Sequence, residues 1–273
     1  MTPPGLVENA DSVKPMVTEA LTVDALRGDP SLAYPPVMWG KTEPSPGSAR
    51  IRDRLLNGDR EIDLERARYA TESYQRTEGE PMVIRRAKML RHLARRTSIG
   101  IYPDELIVGN RSLLPRMGVI APEGAVAWVD RELDILPTRP QDRFQITEAQ
   151  ICELREEVFP YWRGKTLEDT VADRIPEDVR RAVDGRVFSL NQTDHAQGHI
   201  LPDVEGWLSL GIQGLRSKVE DARRQPGVQG DRPQTFYNGV LIALEAAETL
   251  ITRYRALAEK KAAGAETDEA RQT

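Results

Sequence analysis

Residues 66–96, "RARYATESYQRTEGEPMVIRRAKMLRHLARR", carry the pattern that decides the fold. The first half consists of strong helix formers, follows an acidic stretch and has a glycine, Gly79, at its end. Pro81 then opens a second helical pattern, whose basic residues gather toward its C-terminal end. The apolar positions of this second pattern recur at three- and four-residue steps: Val83, Ala87, Leu90 and Ala94. The stretch therefore predicts two consecutive amphipathic helices.

Shorter helices are predicted further along the chain. In "PEGAVAWVDRELDIL" (122–136), Pro122 suits a first turn, and three apolar residues share one face: Val126, Val129 and Leu133. Thr147 and Gln150 have the spacing of a capping box ahead of a helix that Pro160 should stop. Two further helix starts are predicted, one at Thr166 with Asp169 and one at Pro176 with Glu177 and Asp178.

Two longer helices complete the pattern. The first begins at Pro202-Asp203, where Asp203 serves as the cap, and its apolar stripe is Val204, Trp207, Leu208, Ile212, Leu215 and Val219. Its glycines, Gly206, Gly211 and Gly214, weaken it by about 1 kcal/mol each unless close packing requires them. The second runs from about Thr235 through Ala262, with the stripe Val240, Leu244, Ala247, Ile251 and Tyr254.

Two stretches lack a helical pattern. Residues 1–48 contain proline-rich segments without a sustained period, which predicts an irregular N-terminal arm. "IGIYPDELIVGN" (99–110) contains the β-branched pair Ile107-Val108 and predicts either a short strand or a buried extended segment. Strands do not alternate with helices often enough for a complete parallel sheet. The sequence therefore predicts a mainly α fold, a helical layer that needs something to lie on.

Composition limits the classes of partner and the location. The net charge of −5 and the isoelectric point near 5.5 argue against nucleic acid and anionic membranes as partners. No apolar run approaches the roughly 20 residues of a membrane span, and the N-terminus lacks the layout of a signal peptide. We therefore expect a cytoplasmic protein.

The stretch "NQTDHAQGHILPD" (191–203) is the leading candidate site. His195 and His199 are four residues apart, as metal ligands on one helix face would be, but a glycine and a proline favour a loop. A second interpretation is a polar substrate wall formed by His199, Gln197 and Asp194. A third is that the acids cap helices and the histidines satisfy backbone groups. The chemistry of the residues leaves these alternatives open, with metal binding the weakest.

Two other candidates have simpler explanations. Cys152, the single cysteine, suggests a nucleophile or a thiyl radical, but its place within an amphipathic helix favours a partly buried structural residue. It excludes an internal disulfide and a cysteine-based zinc site. The basic residues of 85–96 suggest phosphate binding, but their helical spacing favours a solvated or salt-bridged face.

Several blocks, taken in order, resemble the N-terminal part of the pyruvate formate-lyase-like glycyl radical enzymes, in their dehydratase and lyase branch. The blocks are the 66–96 stretch, "PDELIVGN", "PEGAVAWVDRELD", "RFQITE" and "VFPYWRGKT". The resemblance runs from about residue 50 to about residue 262. It implies that residues 49–273 form the N-terminal portion of a pyruvate formate-lyase-like domain, the incomplete helical outer layer of a ten-stranded α/β barrel.

The resemblance also implies a chemistry. In this family a radical S-adenosylmethionine activating enzyme installs a glycyl radical near the C-terminus, and a cysteine in the barrel receives it as a thiyl radical. The family cysteine lies in a Cys-x-Glu motif in the second half of a much longer chain. Here Leu154 stands two residues beyond Cys152, and "GRVFS" (185–189) lacks the radical glycine. No catalytic residue is therefore expected in this chain.

Three explanations follow for a chain without the radical residues: a fragment or truncated reading frame, one subunit of a split enzyme, or a non-catalytic helical binding or scaffold protein. The final residues 253–273 resemble a point where family members continue into another helix, which favours a fragment. The expected partners are a small polar substrate, the missing C-terminal part or a second subunit, the activating enzyme and, as one option, a second copy in a homodimer.

The resemblance also selects among the site residues. In the dehydratase branch a Gly-His pair just before a helix contributes a histidine to the substrate pocket, and Gly198-His199 matches it. The resemblance therefore implies that His199 binds substrate, with Gln197 and Asp194 adjacent. No metal is expected, and His195 has no assigned role.

Overall fold

The computed structural model describes residues 44–113, 116–190, 201–228 and 230–265. The described secondary structure lies in a compact unit that runs from Pro46 to Thr273, whereas of the unit Met1–Ser45 only residues 44 and 45 are described. Most of the predicted arm, residues 1–43, is thus outside the described residues. The mainly α fold class is confirmed.

Most of the described secondary structure is helical. In chain order the helices are α1 Pro46–Asn57, α2 Glu65–Arg76, α3 Met82–Arg96, α4 Ala127–Glu132, α5 Glu148–Glu153, α6 Phe159–Trp162, α7 Leu167–Ala172, α8 Glu177–Asp184, α9 Val204–Arg224 and α10 Asp231–Ala263. A 3₁₀ turn, Leu133–Ile135, extends α4, and a π turn, Leu154–Val158, joins α5 to α6. None of the described helices combines the length and apolar character that crossing a membrane requires.

The 66–96 stretch forms two consecutive helices, as predicted, and the structure packs them antiparallel. The polar contacts between α2 and α3 fix the pairing, because Arg85 Nη2 donates to the carbonyl oxygen of Tyr74 at 2.8 Å and His92 Nε2 lies 2.7 Å from Glu72 Oε2. Ala67 and Ala70 of α2 are completely buried, which allows close packing. The pair is the beginning of a larger helical layer.

α10 extends this layer by lying parallel to α3. Gly239 of α10 approaches Val83 so closely that a Cβ at position 239 would lie 3.1 Å from Val83 Cγ2. Nearer the other end, Arg253 Nη1 donates to the carbonyl oxygen of Ala94 at 2.6 Å. α9 then packs antiparallel on α10, where Arg216 Nη2 donates to Glu248 Oε2 at 3.1 Å. The spatial order within the layer is α2, α3, α10, α9.

The main core lies where α2 and α3 meet the segment from α4 to α6. Its completely buried side chains include Leu133, Leu154 and Phe159. Trp162 is buried at the same place, and its Nε1 donates to Thr71 Oγ1 at 2.8 Å, which satisfies the polar atom of an otherwise apolar ring. The predicted face of α4 is confirmed, since Val126 and Leu133 are buried and Val129 packs against this core.

A two-stranded parallel sheet closes one end of the core. β1 (Ile62–Asp63) pairs with β2 (Gly118–Val119) in the register Ile62 to Gly118. A Cβ on Gly118 would lie 3.0 Å from both Ile62 Cδ1 and Phe144 Cε1, so the close approach requires glycine. This sheet was not predicted, because two-residue strands give no alternating pattern to detect.

The predicted helix starts are confirmed, two of them by capping contacts. Thr147 and Gln150 form the capping box, with Gln150 N donating to Thr147 Oγ1 at 3.2 Å and Thr147 N donating to Gln150 Oε1 at 2.9 Å. Thr166 and Asp169 form another, with distances of 3.0 and 3.1 Å. α8 begins at Glu177, directly after Pro176.

Pro160 does not stop the helix that begins after Thr147, so that prediction is wrong. The helix passes into the π turn Leu154–Val158 and continues through Pro160 to Trp162. A π turn shifts the hydrogen bonding from i→i+4 to i→i+5, and Pro160 then stands in the first turn of α6, where its missing N–H is tolerated. The turn places both Leu154 and Val158 in the core.

Several predicted apolar stripes are only partly buried. In α3 the buried residues are Ala87, Met89 and Ala94, whereas Val83 and Leu90 are exposed. In α10 Leu244 and Tyr254 are buried, but Ile251 is exposed. The prediction fails most clearly in α9, which has no buried residue. Helical spacing identifies an apolar face but not what covers it.

The segment 99–110 is also described differently from the prediction. It forms neither a strand nor a buried extended segment, since Leu106 and Ile107 are 82% and 92% exposed. Its backbone follows turns and bends between α3 and β2.

Leu154→Ala should destabilise the chain by about 2–5 kcal/mol, because it removes a completely buried side chain from the main core and leaves a cavity. Urea unfolding followed by circular dichroism measures this change. Leu208→Ala, at a position 82% exposed, is the matched control and should change the free energy of unfolding by less than about 0.5 kcal/mol. Equal losses in the two variants would contradict the location of the core.

Candidate functional site

The predicted site residues His199, Gln197 and Asp194 lie outside the described residues, and so does His195. The structure describes the chain that precedes and follows this segment.

The flank that follows begins with a capped helix, as predicted. Asp203 Oδ1 accepts a hydrogen bond from Gly206 N at 2.9 Å, which satisfies one of the free amides at the start of α9. The acid next to the predicted site is thus occupied as a helix cap. The part of the capping interpretation that concerns Asp203 is confirmed.

Both flanks expose large apolar side chains. Val187 before the segment is 78% exposed, and Leu201 and Leu208 after it are 94% and 82% exposed. Leaving such a side chain in water forgoes roughly 1.5–3 kcal/mol each relative to full burial. A site in this segment is therefore flanked by apolar surface that the described part of the chain does not cover.

The backbone of α9 breaks at Gly211, which separates this apolar flank from the anchored part of the helix. Gly211 has φ 60° and ψ −177°, a conformation essentially restricted to glycine. Beyond it, Gln213 and Arg216 both hydrogen-bond Glu248 of α10. The second half of α9 is thus held on α10, while the first half presents Trp207 and Leu208 outward.

The basic residues of α3 form a salt-bridged face, as predicted. Arg91 Nη1 and Arg95 Nη2 lie 2.9 and 2.5 Å from the two carboxylate oxygens of Glu245. Lys88 Nζ lies 2.6 Å from Glu80 Oε2. These cations are neutralised by neighbouring acids, which leaves them poorly suited to bind a phosphate.

His92, the histidine that the structure describes, was not considered in the sequence analysis. Besides its hydrogen bond to Glu72, its ring meets that of Tyr69 edge to face at 5.9 Å, and the Arg96 guanidinium lies 4.9 Å from the centre of the Tyr69 ring. The hydrogen bond from His92 is the main reason that the pKa of Glu72 is lowered. The group clamps α2 to α3. Pairing the two predicted helices antiparallel would have brought these positions together.

Cys152 lies on α5, in an amphipathic helix as predicted, but it is exposed rather than partly buried. The helix turns its apolar neighbours Ile151 and Leu154 toward the core, and Cys152 faces away. Its hydrogen bond to Glu156, with the charges of Glu156 and Glu157, raises the pKa of the thiol. A raised pKa disfavours the thiolate, so the residue lacks the activation that a nucleophilic cysteine needs.

An open apolar cavity of about 440 Å³ lies between the N-terminal turns of α3 and α10. Its lining residues are Pro81, Val83, Asp231, Arg232, Thr235 and Phe236. Within the described ranges, no three His, Cys, Asp or Glu side chains converge as metal ligands would.

Glu72→Gln should flatten the acid dependence of stability. The folded-state pKa of Glu72 is lowered, so its contribution is present above the ordinary value of 4.5 and is lost as the pH falls through the folded pKa. At pH 6 the variant should be less stable by about 0.2–1 kcal/mol, the range for a partly solvent-screened pair. Urea unfolding at pH 6 and pH 3 measures the difference.

Glu259→Gln is the matched control, since Glu259 is an exposed carboxylate on α10 paired with Arg255 four residues away. It should leave the acid dependence close to that of the wild type. The role of the clamp would be disproved if the two variants had the same pH profile.

Comparisons with known proteins place these features in a family. The family described as "Pyruvate formate lyase-like" matches residues 38–273. The chain is 30% identical over 238 residues to the (2S)-3-sulfopropanediol dehydratase of Klebsiella oxytoca, a match that covers 84% of this chain and 29% of the relative. It is 33% identical over 223 residues to the isethionate sulfite-lyase of Oleidesulfovibrio alaskensis, covering 77% of this chain and 27% of the relative.

A solved structure supports the same assignment. The glycerol-bound B12-independent glycerol dehydratase of Clostridium butyricum aligns with a TM-score of 0.79 and 30% identity, covering 86% of this chain and 30% of that chain. The matches cover the N-terminal part of the relatives, and the chain spans less than a third of their length. The succession of helices and the sequence matches together show that this chain belongs to the pyruvate formate-lyase-like family of glycyl radical enzymes.

Proposed function

We propose that this chain is the N-terminal portion of a glycyl radical dehydratase or lyase that eliminates water or another group from a small polar substrate. The observation that carries the proposal is the match, in fold and sequence, to the N-terminal part of enzymes named as dehydratases and a sulfite-lyase. The chain would supply the helical outer layer of the ten-stranded barrel.

The division of labour follows from the residues present. The one cysteine, Cys152, is exposed, has a raised thiol pKa and is followed by Leu154 instead of the glutamate of a Cys-x-Glu motif. The glycyl radical and the thiyl chemistry would therefore belong to the remaining part of the fold, on this polypeptide or a second one. The activating enzyme would act on that part, and this chain alone would not catalyse.

This chain would contribute to substrate binding through His199, with Gln197 and Asp194 beside it. An imidazole and its amide and carboxylate neighbours can donate to and accept from the hydroxyl or acidic groups of a small polar substrate. The exposed apolar flanks support the proposal, because a pocket that excludes water needs walls that the described residues do not supply. We place the assembled enzyme in the cytoplasm.

A chimera tests the proposal. The 273-residue chain would replace the matched N-terminal portion of the Clostridium butyricum glycerol dehydratase, and the product would be incubated anaerobically with the activating enzyme of that dehydratase and S-adenosylmethionine. We expect the electron paramagnetic resonance doublet of a glycyl radical, together with glycerol dehydration. The chain alone should give neither.

The matched control for this experiment is the same dehydratase without its N-terminal portion. A soluble chimera that shows no more radical than this truncated control would refute the proposed function. It would leave a helical binding or scaffold protein as the better description.

His199→Ala in the chimera should lower kcat/KM for glycerol by about tenfold or more, equivalent to about 1.4 kcal/mol of transition-state stabilisation, while the radical signal persists. His195→Ala is the matched control, a histidine four residues away without an assigned role, and should change kcat/KM by less than about twofold. The role of His199 would be disproved by equal effects at the two positions.

A further inference from the structure

Three consecutive apolar side chains project from the loop between α3 and β2. Leu106 is 82% exposed, Ile107 is 92% exposed and Val108 is 39% exposed. The backbone is neither helical nor paired as a strand at these residues, although Ile107 and Val108 are β-branched and suit an extended, paired backbone. We call Leu106, Ile107 and Val108 the apolar triplet.

The carboxylate of Glu105 stabilises the loop through hydrogen bonds to other loop residues. Glu105 Oε2 accepts a hydrogen bond from Tyr102 N at 3.0 Å, and Glu105 Oε1 accepts one from Asn110 Nδ2 at 3.1 Å. The two contacts join residues on either side of the apolar triplet. The Tyr102 hydroxyl also donates to the carbonyl oxygen of Leu113. The base of the loop is therefore closed.

Contacts from two helices hold the same loop from outside. Arg50 of α1 donates to both carboxylate oxygens of Asp104, from Nε to Oδ2 at 2.8 Å and from Nη2 to Oδ1. Asp104 has φ 73°, an uncommon conformation for a residue other than glycine. From α10, Lys261 Nζ donates to the carbonyl oxygen of Ile101 at 2.6 Å. The loop is thus fastened at several points while its apolar residues face outward.

These contacts hold the loop in place without using the side chains of the apolar triplet. The exposure of the triplet is therefore not required for the loop to fold. Large contiguous apolar groups on a protein surface commonly mark a contact with another polypeptide. β-branched residues such as Ile107 and Val108 are suited to contacts in which one segment pairs beside a strand and inserts side chains into pockets. The apolar triplet has the features of a preformed docking surface.

We propose that the apolar triplet docks onto the part of the glycyl radical enzyme fold that this chain does not contain. The proposal rests on the proposed function, since it takes as occupant the roughly two-thirds of the relatives that the chain does not span. A second copy of the chain fits less well. Three side chains fall far short of the roughly 1,200 Å² that a stable interface buries, whereas docking of the missing part would add to many other contacts.

Cysteine labelling in the chimera tests the docking surface. Ile107→Cys would be made in the Cys152→Ser background, both in the 273-residue chain and in the chimera with the glycerol dehydratase. We expect a maleimide reagent to label position 107 at least about tenfold more slowly in the chimera, because a tenfold protection requires that the site be open in under about a tenth of the molecules. Arg224→Cys, at an exposed charged position, is the matched control and should label at similar rates in both.

A second variant tests the docking surface without a cysteine label. Leu106→Asp with Ile107→Asp should leave the thermal midpoint of the 273-residue chain unchanged but lower the yield of soluble chimera at least about fivefold, since buried carboxylates in an apolar contact are costly. Arg224→Asp should not affect the yield.

The outcomes separate the docking surface from the proposed function. Equal labelling of position 107 in the chain and in a radical-bearing chimera overturns the docking proposal and leaves the proposed function standing. Labelling of the chain alone that slows with rising concentration, with a dimer in sedimentation, overturns it in favour of a second copy. A chimera without radical refutes the proposed function, and the docking proposal falls with it.

Discussion

The contact between α3 and α10 is the constraint on which the helical layer depends. It joins segments about 150 residues apart in the chain, and it combines close backbone approach at Gly239 with the double ion pair of Glu245. Neither contact alone would fix the packing of the two helices. Exposed ion pairs contribute little to stability, and a close approach at a glycine does not by itself select one register. Together they set both the distance between the helices and their register. α2 then packs on the other side of α3, and α9 is anchored through α10.

The layer has two different sides. Toward α4 to α6 it encloses a core in which Leu154 and Phe159 are completely buried. Elsewhere it leaves apolar residues in water, including the first half of α9 and the apolar triplet. The chain spans less than a third of the length of the relatives that it matches. Of these exposed residues, those in the first half of α9 follow the predicted substrate-binding segment in sequence.

Local signals in the sequence predicted local structure well. The capping boxes at Thr147 and Thr166 and the cap at Asp203 are decided by neighbouring residues, so a single sequence contains all the information needed. α1 was missed because its residues follow a proline-rich stretch and none of them is buried. The outcome at Pro160 depended on a π turn, and the apolar stripe of α9 is not buried by the described residues. Of the candidate site, the cap was predictable, whereas the exposed flanks were not, because periodicity reports an apolar face and not its partner.

The π turn between α5 and α6 has a consequence for how this part of the chain tolerates changes in length. A π turn accommodates one residue more than an α-helical turn, so it behaves as an insertion absorbed within a helix. If the same residues formed a regular α-helix without the π turn, everything after them would be rotated by about 100°. Trp162 would then lose its position opposite Thr71, and Phe159 would leave the core. The π turn, and not only the composition of the helix, is therefore part of what specifies the core.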